Sequence, residues 1–178
     1  MAERDLLAGE ELVWRGSPSH VKYLRSYVLA VILLIALVAF IIGLYLNQAA
    51  LPAMLQGGAF MLVAPVLLAI PVLIFLYRWI EIRSEVYEVT TQRIFYITGI
   101  FSKNREQLEI YRIKDMQVAE PFKYRLFGKG NILLETSDRS TPTFTFEAVP
   151  HPRDLADTLR RYVEIRREQK GVRELDME

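Results

Sequence analysis

Two long runs without a single charge constrain this chain more than anything else in it. Residues 27–46 read YVLAVILLIALVAFIIGLYL, and residues 59–77 read AFMLVAPVLLAIPVLIFLY. At about 1.5 Å per residue the first run makes a helix of about 30 Å, the thickness of a bilayer's hydrocarbon core. A core helix of a soluble protein shows a polar face, and neither run does. A cleavable signal peptide, with ALPA as its cleavage site, is the competing reading. The apolar stretch is too long for it and the leader before it too bulky. Pro65 and Pro71 would break a soluble helix but are tolerated in a membrane, so a kinked second span packed on the first is expected. The connector at 47–58 carries no Lys or Arg, whereas Arg15, Lys22 and Arg25 precede the first run and Arg78 and Arg83 follow the second. The positive-inside rule then places both termini in the cytoplasm. Tyr23, Tyr27, Tyr45, Tyr77 and Trp79 stand near the span ends, where amphipathic rings favour the membrane interface. Transport or proton relay needs ionisable groups at membrane depth, and the spans have none, so the hairpin reads as an anchor.

From Glu85 onward the composition changes. VYEVT (86–90) and RIFYIT (93–98) are β-prone and flank a turn at Thr91-Gln92. After Gly99, Ser102 to Arg105 is a polar stretch that suits a hairpin tip or an edge strand. Leu108, Ile110, Ile113, Met116 and Val118 carry the strand signal onward with imperfect alternation, which suggests a bulge. FKYRLF (122–127) reads as one helical turn or a tight loop. NILLET (131–136) and TFTF (143–146) alternate, with Phe144 and Phe146 directed to a core. A last helix begins at Pro152, with Asp154 near the positive end of its dipole. Leu155, Leu159, Tyr162 and Val163 form one apolar stripe, and beyond Arg166 the chain is highly charged and expected to fray.

The expected fold class is α+β: a two-helix transmembrane hairpin, then about six antiparallel strands in a bent sheet whose open end the final helix plugs. The expected divisions are an N-terminal cytoplasmic segment (1–26), the hairpin (27–77), a cytoplasmic domain (84–168) and a charged tail (169–178). In GEELVWRGSPS, Leu12, Val13 and Trp14 are β-prone, and this segment is expected to add a strand to the domain or dock its tryptophan there.

The order of these motifs resembles the bacterial PH-domain membrane proteins, the DUF304 or YdbS-like family. GEELVWRGSPS, the hairpin, YEVTTQRIFYITG, YRIKDMQV, RLFGKGNILLETSD and the Pro-led final helix carry the resemblance over nearly the whole chain. It implies a pleckstrin-homology-like split β-barrel, capped by a C-terminal helix, on the cytoplasmic side of a bacterial inner membrane. It does not imply an enzyme.

The residues themselves offer no catalytic, cofactor or metal site. The chain has no cysteine, which excludes disulfides, thiolate metal sites and a cysteine nucleophile. His20 and His151 lack metal-ligand spacing, and no serine elbow is present. A phosphate-binding loop needs Gly-Lys followed by Ser or Thr and a helix, whereas Gly128-Lys129-Gly130 is followed by Asn131 and a strand. One or both of Gly128 and Gly130 are expected at positive φ, as a structural turn into that strand. Asp115 interrupts an apolar run and is read as bonding a backbone group at the bulge.

A net charge of +1 gives no bulk attraction to nucleic acid. What remains is a basic, aromatic surface that includes Arg93, Lys103, Arg105, Arg112, Lys114, Lys123, Arg125 and Lys129, with Glu106, Glu109 and Glu120 interleaved. Lys103, Arg105, Lys123, Arg125 and Lys129 are the candidate lipid- or partner-binding residues. The expected function is a membrane-anchored, non-enzymatic adaptor for protein partners or copies of itself. The alternative is a module that binds anionic lipid or its headgroup.

Overall fold

In the computed structural model the described residues are 6–7, 9–47 and 58–171, with side chains described outside 58–62. The expected connector turn, the ALPA motif and the end of the charged tail lie outside them. The chain divides into two compact units, residues 23–80 and the remainder.

The first unit holds α1 (Leu24–Leu46) and most of α2 (Gly58–Ser84), in which Pro65 and Pro71 lie. Both helices keep most of their apolar side chains exposed, among them Ile35, Phe40, Val66 and Leu73. Tyr27 meets Phe75 with ring centroids 4.9 Å apart, and the Arg78 guanidinium lies 4.8 Å above the Tyr23 ring.

The second unit is built from segments on both sides of the hairpin. β1 (Leu12–Gly16), β2 (Val86–Thr90), β3 (Arg93–Thr98) and β4 (Asn104–Glu109) form one antiparallel sheet in that order. β5 (Ile113–Ala119), β6 (Lys129–Thr136) and β7 (Thr143–Pro150) form a second. The single bent run of strands expected from the sequence is thus two sheets. The 3₁₀ turn Ile110–Arg112 carries the chain from one to the other, and Ile110 is buried at that corner. This corner accounts for most of the imperfect alternation. A true bulge follows between Ile113 and Asp115, where the Asp115 carboxylate accepts the Met116 N–H at 2.7 Å.

Period-two patterning places Tyr87, Val89, Ile94 and Leu108 of the first sheet in one core with Ile132, Leu134, Phe144 and Phe146 of the second. The N-terminal strand completes this core. Leu12–Gly16 pairs with β2, and Trp14 sets its ring edge-on to Phe146 at 6.2 Å. α4 (Pro152–Lys170) adds Leu155, Ala156, Leu159 and Val163 to the same core, with Tyr162 partly buried beside them.

The helix runs on past Arg166 to Lys170. Arg166 donates to the Gln92 amide oxygen at 2.8 Å and Arg167 to the Ile113 carbonyl at 2.6 Å, and Gly171 terminates the helix in the left-handed conformation. Charged side chains that reach back to the strands hold this last turn in place of apolar packing.

Candidate functional site

The short helix α3 (Phe122–Arg125) starts at Pro121, whose carbonyl accepts the N–H groups of Tyr124 and Arg125. The turn ends at Gly128, φ 63°, where positive φ lets the chain enter β6. Gly130 does not share that conformation. A Cβ there would lie 2.7 Å from Pro152 Cγ and 3.0 Å from the Ala119 carbonyl, so this glycine permits close approach of β6 to the start of α4. Gly130→Ala is expected to lower stability by about 1–3 kcal/mol through overpacking. Gly128→Ala meets no atom within 4 Å and is expected to cost about 1–2 kcal/mol through backbone strain alone. Paired thermal melts test both values.

Only Tyr124 of this turn is buried; Phe122, Leu126 and Phe127 project outward. Lys123 lies over the Tyr124 ring at 4.7 Å. Arg125 and Lys129 make no ion pair among the described residues, and both line a shallow recess of about 230 Å³ with Gly128, His151, Arg153 and Asp154. Arg153 is engaged by Glu120 at 2.9 Å, and His151 stands 4.0 Å from Asp154.

The five candidate cations therefore fall into two groups. Lys123, Arg125 and Lys129 gather around α3 and the start of β6, in the second sheet's neighbourhood. Lys103 and Arg105 belong to the first sheet, at the turn before β4 and on β4 itself. Arg105 lies across the Phe95 ring at 4.2 Å. Two further members of the basic surface are committed elsewhere. Arg112 pairs with Glu109 at 2.8 Å and Asp138 at 3.3 Å, and Arg93 pairs with Glu10.

Two buried ionic clusters were not read from the sequence. Glu10 has no exposed side-chain surface and accepts from Thr90 Oγ1 at 2.6 Å, Arg93 Nε at 3.1 Å and the Leu7 N–H at 2.9 Å. Burial alone would raise its pKa, but the bonds from Arg93, Thr90 and Leu7 prevail and hold it at about 2. Near the other end of β2, Lys22 donates to both oxygens of buried Glu85, at 2.7 and 3.0 Å, and to Glu147 at 2.9 Å. Tyr96 also donates to Glu85 at 2.9 Å, and its ring stacks on Tyr87 at 4.8 Å. Burial keeps the Tyr96 phenol far above its ordinary pKa, so it stays a neutral donor. The only sequence cue to either cluster was charge beside a β-prone or apolar run.

Among the described residues β1 and β4 are the outer strands of the first sheet and β5 and β7 those of the second; β7 bonds outward to the Tyr87 hydroxyl and the Ser19 N–H. β4 exposes Asn104 to Gln107, and most of β5 after Ile113 is exposed. Among the described residues no three His, Asp or Glu side chains converge as metal ligands would.

The family description "Bacterial PH domain" matches residues 20–163, which span most of the chain. The chain belongs to the bacterial PH-domain family. The crystal structure of a DUF1696-family protein with a pleckstrin-homology domain, from Shewanella loihica PV-4, is similar at 11% identity and a TM-score of 0.38. That match covers 46% of this chain and 73% of the other. No curated protein matches the chain.

Proposed function

We propose that this protein is a membrane-anchored, non-enzymatic adaptor. Its PH-like domain, a split barrel with α4 as its cap, presents an interaction surface at the cytoplasmic face of a bacterial inner membrane. The anchor reading is supported by α1 and α2, helices of 23 and 27 residues whose long apolar stretches stay almost wholly exposed. A core helix of a soluble protein would be mostly buried.

The observation that carries the adaptor reading is the edge position of β4, an exposed strand that pairs with β3 alone among the described residues. A partner strand, or the same strand of a second copy, can add there through main-chain hydrogen bonds. A photo-crosslinking residue at Gln107, in the full-length protein in its native membrane, is expected to trap a discrete adduct. The same residue at buried-face Leu108 should trap none. A chain that stays uncrosslinked and monomeric would count against the adaptor.

A second reading, binding to anionic lipid, is favoured by Arg125 and Lys129, two cations without ion-pair partners among the described residues, beside the exposed side chains of the α3 turn.

A further inference from the structure

We propose that α3 and the turn after it form an interfacial wedge, in which Phe122, Leu126 and Phe127 enter the acyl boundary of an anionic bilayer while Lys123, Arg125 and Lys129 bind its phosphates. The inference rests on the anchor reading above and names the membrane contact of the second one. Three large apolar side chains stand close together and exposed, Phe122 at 69%, Leu126 at 66% and Phe127 at 54%. The Leu126 N–H donates to the Phe122 carbonyl at 3.1 Å, so the first two are successive on one face of the turn. They are not needed for packing, because buried Tyr124 ties the turn to the body. A contiguous apolar patch of this kind on a small domain marks an interaction site.

The charges select the occupant. Residues 122–131 contain Lys123, Arg125 and Lys129 and no acid. Of the acids beside it, Glu120 holds Arg153, and Asp154 stands exposed 4.0 Å from His151. A protein groove for an apolar knob carries no requirement for three flanking cations, whereas the headgroup layer of an anionic leaflet does. Interleaving of cation and apolar residue along FKYRLFGK is the pattern of a segment that lies in an interface.

Because the chain has no cysteine, single cysteines can be placed without a background. The full chain is reconstituted into phosphatidylethanolamine vesicles with and without phosphatidylglycerol. Spin labels at Leu126→Cys and Phe127→Cys report depth from the ratio of oxygen to nickel-chelate accessibility. Ala36→Cys in α1 and Asp157→Cys on exposed α4 give the bilayer and water references. The expected result is that labels at 126 and 127 read inside the bilayer when phosphatidylglycerol is present. Charge reversal of Lys123, Arg125 and Lys129 to Glu should return them to the water value. If Ala36 reads inside and both turn labels stay at the water value, the wedge is refuted and the anchor stands. If Ala36 itself reads as water, the anchor reading fails and the wedge with it. Labels that are shielded equally in vesicles lacking phosphatidylglycerol would mean that protein covers the patch, which also overturns the wedge.

Discussion

Glu10→Ala is expected to lower the unfolding free energy of the domain by about 3 kcal/mol, because it removes at once the buried acceptor of Arg93, the Thr90 hydroxyl and the Leu7 N–H. The same carboxylate makes stability depend on pH. Its pKa is about 2 in the folded chain and 4.5 when free. A depressed carboxyl contributes its full stabilisation above pH 4.5 and loses it progressively as pH falls toward 2. The contribution at neutral pH is about 3 kcal/mol. Urea titrations of the wild type at neutral and acid pH should show that loss. Glu10→Gln should flatten this component of the acid limb, since the amide cannot ionise. Losing the carboxylate also loosens β1, so hydrogen exchange at Trp14 and Arg15 should accelerate in the variant before the rest of the sheet responds.

Lys22→Ala is the second large effect. Its ammonium satisfies both oxygens of Glu85 and one of Glu147, and without it Glu85 retains a single side-chain donor in Tyr96. An uncompensated buried charge costs about 3–5 kcal/mol, so Lys22→Ala is expected to destabilise the domain by that amount. The double variant Lys22→Met, Glu85→Leu should recover most of the loss, because replacing both members with apolar groups removes the stranded charge. A double-mutant cycle on the unfolding free energy measures the coupling. If Lys22→Ala and the double variant were equally unstable, the ion pair would not be the cause.

Regular patterning made most of the fold legible. VYEVT and RIFYIT occupy β2 and β3 with the bounds read from β-branched and aromatic content, and Phe144 and Phe146 point inward as their alternation required. The stripe of α4 was equally plain, because a surface helix shows its buried face in the spacing of Leu155, Leu159 and Val163. Tertiary partners were less legible. Nothing local distinguishes the bulge at Asp115 from the corner at Ile110–Arg112, since both interrupt alternation. The end of α4 looked too charged to stay ordered because Arg167's acceptor, the Ile113 carbonyl, lies far away in sequence. The same holds for the candidate site. Lys123, Arg125 and Lys129 could be selected by charge, but whether Phe122, Leu126 and Phe127 were core or surface depended on which aromatic of the turn faced inward. In the fold Tyr124 took that place, which left the phenylalanines outside.

The pairing of β1 with β2 has a consequence for biosynthesis. β1 leaves the ribosome before either apolar helix, and β2 only after both. The first sheet therefore cannot close until both helices have been made and their outer ends brought together. On the anchor reading proposed above, a hairpin inserted with one helix left behind would strand Trp14 and Glu10 across the lipid from Phe146 and Arg93. The finished core thus depends on both ends of the hairpin being together, because β1 and β2 come from its two sides.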